Sequence, residues 1–502
     1  MTTSTVIRGG LVLDVDRGTA DARDILVLGD SILAIGAPGM DAPDDAQIIN
    51  ASRRLLHPGL VNAHTHGHGV LAKGMGDLWT LELLLNAGPW IGGGRLLEDK
   101  YLSTFVGAVE MLMKGCTAAY DLTAEFPLPT VDGLHACASA YADAGMRAVV
   151  APMVAEYSFY EAIPGLMEAI PENLRGEVER FRLAPREACL SVMRDAVQRW
   201  PLDHEIVRPA IAPTIPHHCS DEFMLGCARI AREHGLGLHS HVQESKVQVI
   251  TGMRRYGRTQ TAHLDSLGLL GPDFTVAHGV WLDDEDMRIL AGHGASVAHN
   301  PSSNMRLGSG LADVRTMMDL GVNVGVGTDG ANCSDNLNMF EGMRLASLVS
   351  KSRSPDTSVW LTTREVARAA TAGSARALGM EKIGRIADGY KADIVFLDLD
   401  HPNWMPVNDP VNQLVHTEDG TAVHSVMVGG TMRVENRQPV GIDLCRLAQK
   451  VEAARERLEG ATEDAKMLSL KLADVVNQHC PGLARQPYHI HRYGACPDHA
   501  RL

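Results

Sequence analysis

What this chain lacks narrows its role before any motif is read. Its 502 residues include only nine cysteines, scattered singly, with no Cys-x-x-Cys pair. That disfavours a disulfide framework and a thiolate zinc site, and a reducing cytosol fits best. Basic residues are outnumbered: 46 Lys and Arg stand against 61 Asp and Glu, a net charge of −15. With no basic run and no interleaved aromatic stretch, no nucleic-acid partner is expected. No segment approaches the roughly 18–20 apolar residues that cross a bilayer. The start, Met1-Thr2-Thr3-Ser4-Thr5-Val6-Ile7, has neither the basic n-region nor the long apolar h-region of a secretory signal. A cytoplasmic protein without a membrane partner is the expectation.

What remains is an ordinary globular balance, 45% apolar and 21% charged residues. The length allows a large enzyme core with additions. Residues 5–56 read as short strands broken by Gly-Gly and Gly-Asp turns, among them Val6–Leu13, Asp24–Asp30 and Ser31–Gly36. The same texture returns at Ala392–Asp398 and Val423–Gly430. The economical reading is one small β domain, a sandwich, built from both ends over 1–57 and 381–442. Between them, over 58–380, apolar strands alternate with helix-length amphipathic segments such as Asp221–His234 and Asp283–His293. Repeated βα units over such a length predict an α/β fold, a (β/α)8 barrel of the TIM type. Residues 443–478 carry Leu444, Leu447, Val451, Ala454 and Leu458 at helical spacing, which predicts a C-terminal helical extension within 443–502.

Polar residues fall in a regular place. His64 and His66 close the apolar run Leu55 to Ala63, and strand alternation turns both to one side, roughly 6.5–7 Å apart. His241, His278 and Asp329 close further strand-like runs. A histidine at a strand end is usually a hydrogen-bonded core residue, but in a barrel such ends converge on one catalytic mouth. Three imidazoles and a carboxylate suit Zn2+ or Fe2+ with one position open for water. Glu244 follows His241 by three residues, placed either as a solvated loop glutamate or as a proton shuttle for a substrate on the metal. A second His-x-His, His489-Ile490-His491, sits on no strand and is read as part of a capping tail.

Several motifs together resemble the amidohydrolase superfamily, in the branch of cytosine deaminase, the triazine hydrolases and the methylthioadenosine/S-adenosylhomocysteine deaminases. They are Pro58-Gly59-Leu60-Val61-Asn62-Ala63-His64-Thr65-His66, His241-x-x-Glu244, Ala277-His278-Gly279, the run from His299 to Gly310, Gly327-Thr328-Asp329-Gly330, Asn338–Arg344 and Lys391–Val395. The resemblance covers about residues 5–435. It implies His64, His66, His241 and Asp329 as ligands of one divalent metal, Zn2+ or else Fe2+. It further implies Glu244 as proton shuttle, His278 as the group that positions water or polarises the substrate, and Asp329 as acceptor of the water proton. His239 rivals His241 on the same strand side, and the family's His-x-x-Glu spacing selects His241. No strand-end lysine precedes residue 213 to be the carbamylated ligand of binuclear relatives.

The implied activity is attack of hydroxide, generated on the metal, upon an sp2 carbon. Hydrolytic deamination of an N-heterocycle leads. Cleavage of an amide, urea or carbamate C–N bond in a small aromatic or xenobiotic-like substrate is the alternative. A non-catalytic metal-binding scaffold is disfavoured, because the ligand set and Glu244 are all present. The nucleoside deaminases of the branch usually carry Pro-His-(Ser/Ala)-Pro-Tyr, whereas this chain reads Pro213-Thr214-Ile215-Pro216-His217. The acidic residue they hold near a proline after the first motif is replaced here by Gly92-Gly93-Gly94. Both departures count against a typical adenosine nucleoside. Pocket candidates are Trp79, Trp90, His217, His299, Asn304 and Arg306, the tryptophans serving as packing or as a lid. Cys333 is expected to line the site without thiol chemistry. The expected partners are a small-molecule substrate and further copies of the chain, in a dimer or tetramer.

Overall fold

Apolar runs that end in histidine or aspartate become the strands of a closed parallel barrel. In a computed structural model, which describes residues 4–334 and 336–494, these strands are Leu60–Thr65, Cys116–Ala124, Arg147–Val154, a fourth broken into Val207–Pro209 and Ala212–Pro213, Leu238–Val242, Phe274–His278, Ser296–His299 and Asn323–Val326. Parallel ladders join the first four and the last four. The two arcs meet where His239 N donates to Ile211 O (3.0 Å) and His241 N to Thr214 O (2.9 Å). They close again where Asp329 N donates to His64 O (2.9 Å). Thr130, Ser220, Ser245 and Asp283 cap the helices that return the chain between strands. Valines and leucines on the outer strand faces, such as Val276, Val297 and Val324, pack with helical Phe223, Met287 and Leu290. Ala375, Leu378, Met380 and Ile383 pack with Val61, Tyr120, Val149 and Ala210, which leaves the strands' C-terminal ends as the mouth where barrels of this type carry their sites.

The small domain is a nine-stranded sheet from both ends of the chain, with Arg54–Pro58 pairing with Ser4–Asp14 on one side and Ile394–Asp398 on the other. Ile25 and Ile32 from one part of this sheet and Ile394 and Met427 from the other share one apolar cluster, which gives the sandwich its core. A buried ion pair, Arg147 Nε to Asp393 Oδ2 at 2.9 Å, ties the third barrel strand to it.

The C-terminal helix divides in two, Leu444–Ala461 and Glu463–Ala484, at Thr462, and the second extends past the expected end. Leu468, Leu472, Val476 and Cys480 bury against Leu83, Phe159, Ile163 and Val247, covering the segments that follow the first, third and fifth strands. Gly94, at φ 66°, stands where a Cβ would lie 3.1 Å from Ala461, so the glycine run makes room for the junction between these helices. The tail then crosses the rim. Arg492 donates to Leu282 O (2.6 Å), and Leu311 N donates to Arg492 O (2.7 Å). Residues 495–502 of the expected extension lie outside the described residues. Among the described residues no helix is long and apolar enough to cross a membrane, and eight cysteines carry free thiols, seven of them buried.

Candidate metal-dependent active site

The first strand is bent just before its histidines. Its ladder to the second strand slips between Asn62 and Thr65, a bulge of the kind that re-aims side chains near active sites. Asn62 turns away, donating from Nδ2 to Thr328 Oγ1 (2.7 Å), while His64 and His66 converge with ring centroids 4.7 Å apart. His241 joins them, its ring 5.0 Å from His64 and 5.4 Å from His66. The ligand atoms of these three lie within 4.8 Å of one another, and so do those of His64, His278 and Asp329. Asp329 Oδ1 is 3.1 Å from His66 Nε2 and 3.5 Å from His64 Nε2.

Hydrogen bonds to the backbone orient two of these rings. His66 Nδ1 lies 2.7 Å from Leu122 O and His241 Nδ1 2.7 Å from Thr214 O, so each Nδ1–H is donated and each Nε2 keeps a lone pair. The two Nε2 atoms then face each other at 3.3 Å. Two lone pairs repel there, yet tetrahedral ligands at about 2.0–2.1 Å from zinc stand about 3.3 Å apart. His64 is fully buried with neither ring nitrogen hydrogen-bonded, a cost of about 1–3 kcal/mol that ligation relieves. The donor set fits a divalent metal of the zinc or iron type.

Strained backbone completes the cluster. Gln243, His278 and Asp329 are three of six described non-glycine residues with positive φ, at 53°, 70° and 62°. Such conformations collect at functional sites and cost about 1–3 kcal/mol each. Asp329 is held by Thr65 Oγ1 and Thr328 Oγ1, both donating to its carbonyl at 3.1 Å, and by Gly330 N donating to Oδ1 at 2.8 Å. Gly327 lets the eighth strand approach the first, since a Cβ there would sit 2.3 Å from Asn300 Oδ1 and 2.8 Å from His64 O.

Two buried carboxyls flank His278, whose Nε2 is 3.7 Å from Glu244 Oε2 and 3.7 Å from Asp329 Oδ2. Their surroundings drive them apart. Burial would raise Asp329, but the imidazoles of His64, His66 and His278 gathered around it outweigh that and hold its pKa well below the usual value. Burial raises Glu244 well above its usual value, and the charges of Asp329 and Glu82 add to the effect. One is favoured as a carboxylate and the other as an acid, the pattern that separates base from acid in an active site. Burial lowers the His278 imidazole, Asp329 and Asn304 only partly restoring it. His278 Nδ1 donates to Asn304 Oδ1 (2.8 Å), so the neutral ring presents a lone pair at Nε2 and accepts a proton before it can donate one. His66 alone among the candidate ligands is lifted; burial pushes it down, and Asp329 overcomes that.

The remaining expected residues divide. Asn304 touches His278, and Asn300 Nδ2 lies 3.4 Å from the same Nδ1. Cys333 Sγ donates to Gly330 O at 3.2 Å, beside Asp329. His239 is buried beneath the cluster, 4.9 Å from the His64 ring and edge-on to Tyr120. His217 is buried against Gln260, whose Nε2 lies 2.8 Å from its Nδ1. Trp79 and Trp90 pack edge to face at 5.9 Å near the C-terminal helix, and Lys466 lies over Trp90. Arg306 donates to the carbonyls of Gly76 and Asp77, pinning that loop. His299 is not brought to the cluster; it lines a separate cavity with Asp313, Arg315 and Arg353. In the tail, His489 Nε2 is 2.8 Å from Asp283 Oδ2 at the surface. Sequence reading passed over Glu82, buried and bonded to Ser245. An acid inside the apolar run Leu81–Leu85 was the available signal.

A (β/α)8 barrel with imidazoles and a carboxylate gathered at its C-terminal mouth defines the class of metal-dependent barrel hydrolases. The chain belongs to the Amidohydrolase family, whose model matches residues 55–433. It is 32% identical to a 5-methylthioadenosine/S-adenosylhomocysteine deaminase of Thermococcus onnurineus over 87% of this chain and 95% of that one. It is 31% identical to a 5'-deoxyadenosine deaminase of Methanosarcina mazei over 89% and 96% of the two chains. An atrazine chlorohydrolase from Arthrobacter aurescens, solved in complex with zinc, superposes with a TM-score of 0.79 at 26% identity, covering 90% of this chain and all of that one (100%). The protein is a hydrolase acting on carbon–nitrogen bonds other than peptide bonds.

Proposed function

We propose that this protein is a zinc-dependent aminohydrolase that replaces an amino group on a small nitrogen heterocycle with hydroxyl, releasing ammonia. The supporting observation is the pair of buried carboxyls on either side of His278, Asp329 pushed toward its ionised form and Glu244 toward its acid form. His64, His66, His241 and Asp329 would hold the metal, which supplies a Lewis acid and makes water more acidic. Asp329 and the Nε2 lone pair of His278 are placed to take the proton of the attacking water. Protonated His278 then donates to the oxygen on the attacked carbon. Glu244 delivers its proton to a ring nitrogen; the proton taken from water then passes to the departing amine, and Glu244 recovers its own from the ring nitrogen as the ring is restored, so that water and the amino compound become the hydroxylated ring and ammonia. The deaminases among the relatives support amino-group hydrolysis. Against an ordinary adenosine nucleoside stand Thr214, whose hydroxyl points to the Met153 sulfur at 3.8 Å, and the glycine run taken up by the helix junction.

The test is product analysis by mass spectrometry on zinc-loaded protein. The panel pairs aminated purines, pterins, pyrimidines and triazines with aryl amides, ureas and carbamates. Exchange of NH2 for OH with free ammonia is the expected result. Cleavage into a larger amine and an acid or CO2 moves the protein to amide, urea or carbamate hydrolysis instead.

A further inference from the structure

The helix Leu81–Gly92 lies over the mouth, Leu81 packing against Cys333 and Leu307. Its second residue, Glu82, is 95% buried (5% exposed). Oε1 accepts the Ser245 hydroxyl at 2.8 Å, and Ser245 directly follows Glu244. Among the described residues no other hydrogen bond reaches the carboxyl, and no Lys, Arg or His forms an ion pair with it. The adjacent cation, Lys246, is engaged elsewhere, its Nζ 5.8 Å above the Trp281 ring. Polar atoms of this segment are also unmatched: Glu244 Oε2 and Gln248 Nε2 are buried without a hydrogen bond to any described residue. Gln248 Oε1 accepts the Glu244 N–H and its own N–H donates to Ser245 Oγ, which fixes this group as one unit. The Glu82 charge adds to burial in pushing the Cys480 thiol and the Tyr493 hydroxyl up to about 12, which sets it beneath both the last helix and the tail.

We propose that Glu82 is a specificity-determining residue: Ser245 holds one carboxylate oxygen, and the other receives a cationic nitrogen of the substrate, an ammonium, amidinium or guanidinium, away from the attacked carbon. This rests on the preceding reading only in taking the mouth as the place where a small substrate binds.

Isothermal titration of metal-loaded protein with benzamidine and its neutral isostere benzamide tests it. A charged hydrogen bond to a buried carboxylate makes benzamidine the tighter ligand by about tenfold or more. Glu82→Gln is expected to erase that preference, and Glu244→Gln and Ser245→Ala to keep it. Equal binding of the two probes, no binding of benzamidine, a preference that survives Glu82→Gln, or one lost in Glu244→Gln overturns the proposal. Should Glu82→Gln fail to fold, a crystal structure of the wild-type benzamidine complex decides. The amidinium on Glu82 supports the proposal, and the amidinium on Glu244 or Asp329 overturns it. The product screen is read separately. Deamination without charge preference sinks only this inference, and charge preference without ammonia sinks only the earlier reading.

Discussion

Val276-Ala277-His278 and Val297-Ala298-His299 are the same tripeptide on neighbouring strands, paired in register, yet their histidines end in different places. Both valines enter the core shared with the helices, and Ala298 meets Ala63 on the other side. Alternation sends each histidine to its valine's side. His299 obeys and faces a cavity among Asp313, Arg315 and Arg353. His278 takes a φ of 70° instead and turns toward Glu244 and Asp329, its Nδ1 held by Asn304. The two His-x-His pairs teach the same lesson. His64 and His66 are buried among other candidate ligands, while His489 is exposed and bonded to Asp283. Residue type does not make a site; convergence does.

The largest effect expected is on the metal. Losing a partner of a ligand costs about 10–100-fold in affinity, so His66→Ala, which removes a proposed ligand itself, should cost more than about 100-fold. Metal analysis after dialysis reads this, and the double variant His489→Ala/His491→Ala should retain full metal. A metal that leaves with the tail pair would break the contrast. Next, His278→Ala and Glu244→Gln should each lower kcat by about 10²–10⁴ with metal retained. His299→Ala should leave kcat nearly unchanged, and comparable losses at His278 and His299 would erase the distinction drawn from φ.

The pH profile sharpens the assignment of acid and base. Glu244 faces His278 at 3.7 Å and senses Asp329 and Glu82. Its raised pKa keeps the acid form into a range where ordinary carboxyls are ionised, so kcat/KM should fall as pH rises through that value. Asp329, held low, stays ionised until pH is well below the ordinary carboxylate range, so it does not set the alkaline side. The alkaline fall should vanish in the residual activity of Glu244→Gln; its survival there would assign the limb to another group.

The smallest effects belong to the tail. Arg492→Ala removes the bond to Leu282 O and the approach to Asp313 (3.4 Å), for a loss of about 1–3 kcal/mol by denaturant unfolding. His489→Ala breaks an exposed pair and should change stability by about 0–1 kcal/mol. A larger loss at His489 than at Arg492 would mean that the tail is anchored by its exposed histidine.

Much of this was legible in the chain. Strand-end His64, His66, His241, His278 and Asp329 stood out because a parallel barrel places all such ends on one rim, and helix periodicity marked Leu444, Leu447, Val451 and Leu458. The pocket was less legible. Arg306, expected in the pocket, donates to the carbonyls of Gly76 and Asp77, while Glu82, which no motif marked, is buried.

By itself, then, the sequence determined the alternation of strands and helices, the pairing of the chain's two ends, and the donor types of the cluster, since each depends on local pattern and side-chain chemistry. Tertiary structure alone decided the bulge before His64, the left-handed turns at His278 and Asp329, and the roofing of the mouth by Glu463–Ala484. Those features cost energy locally and persist only because distant groups, Asn304, Thr65 and Leu83 among them, hold them in place.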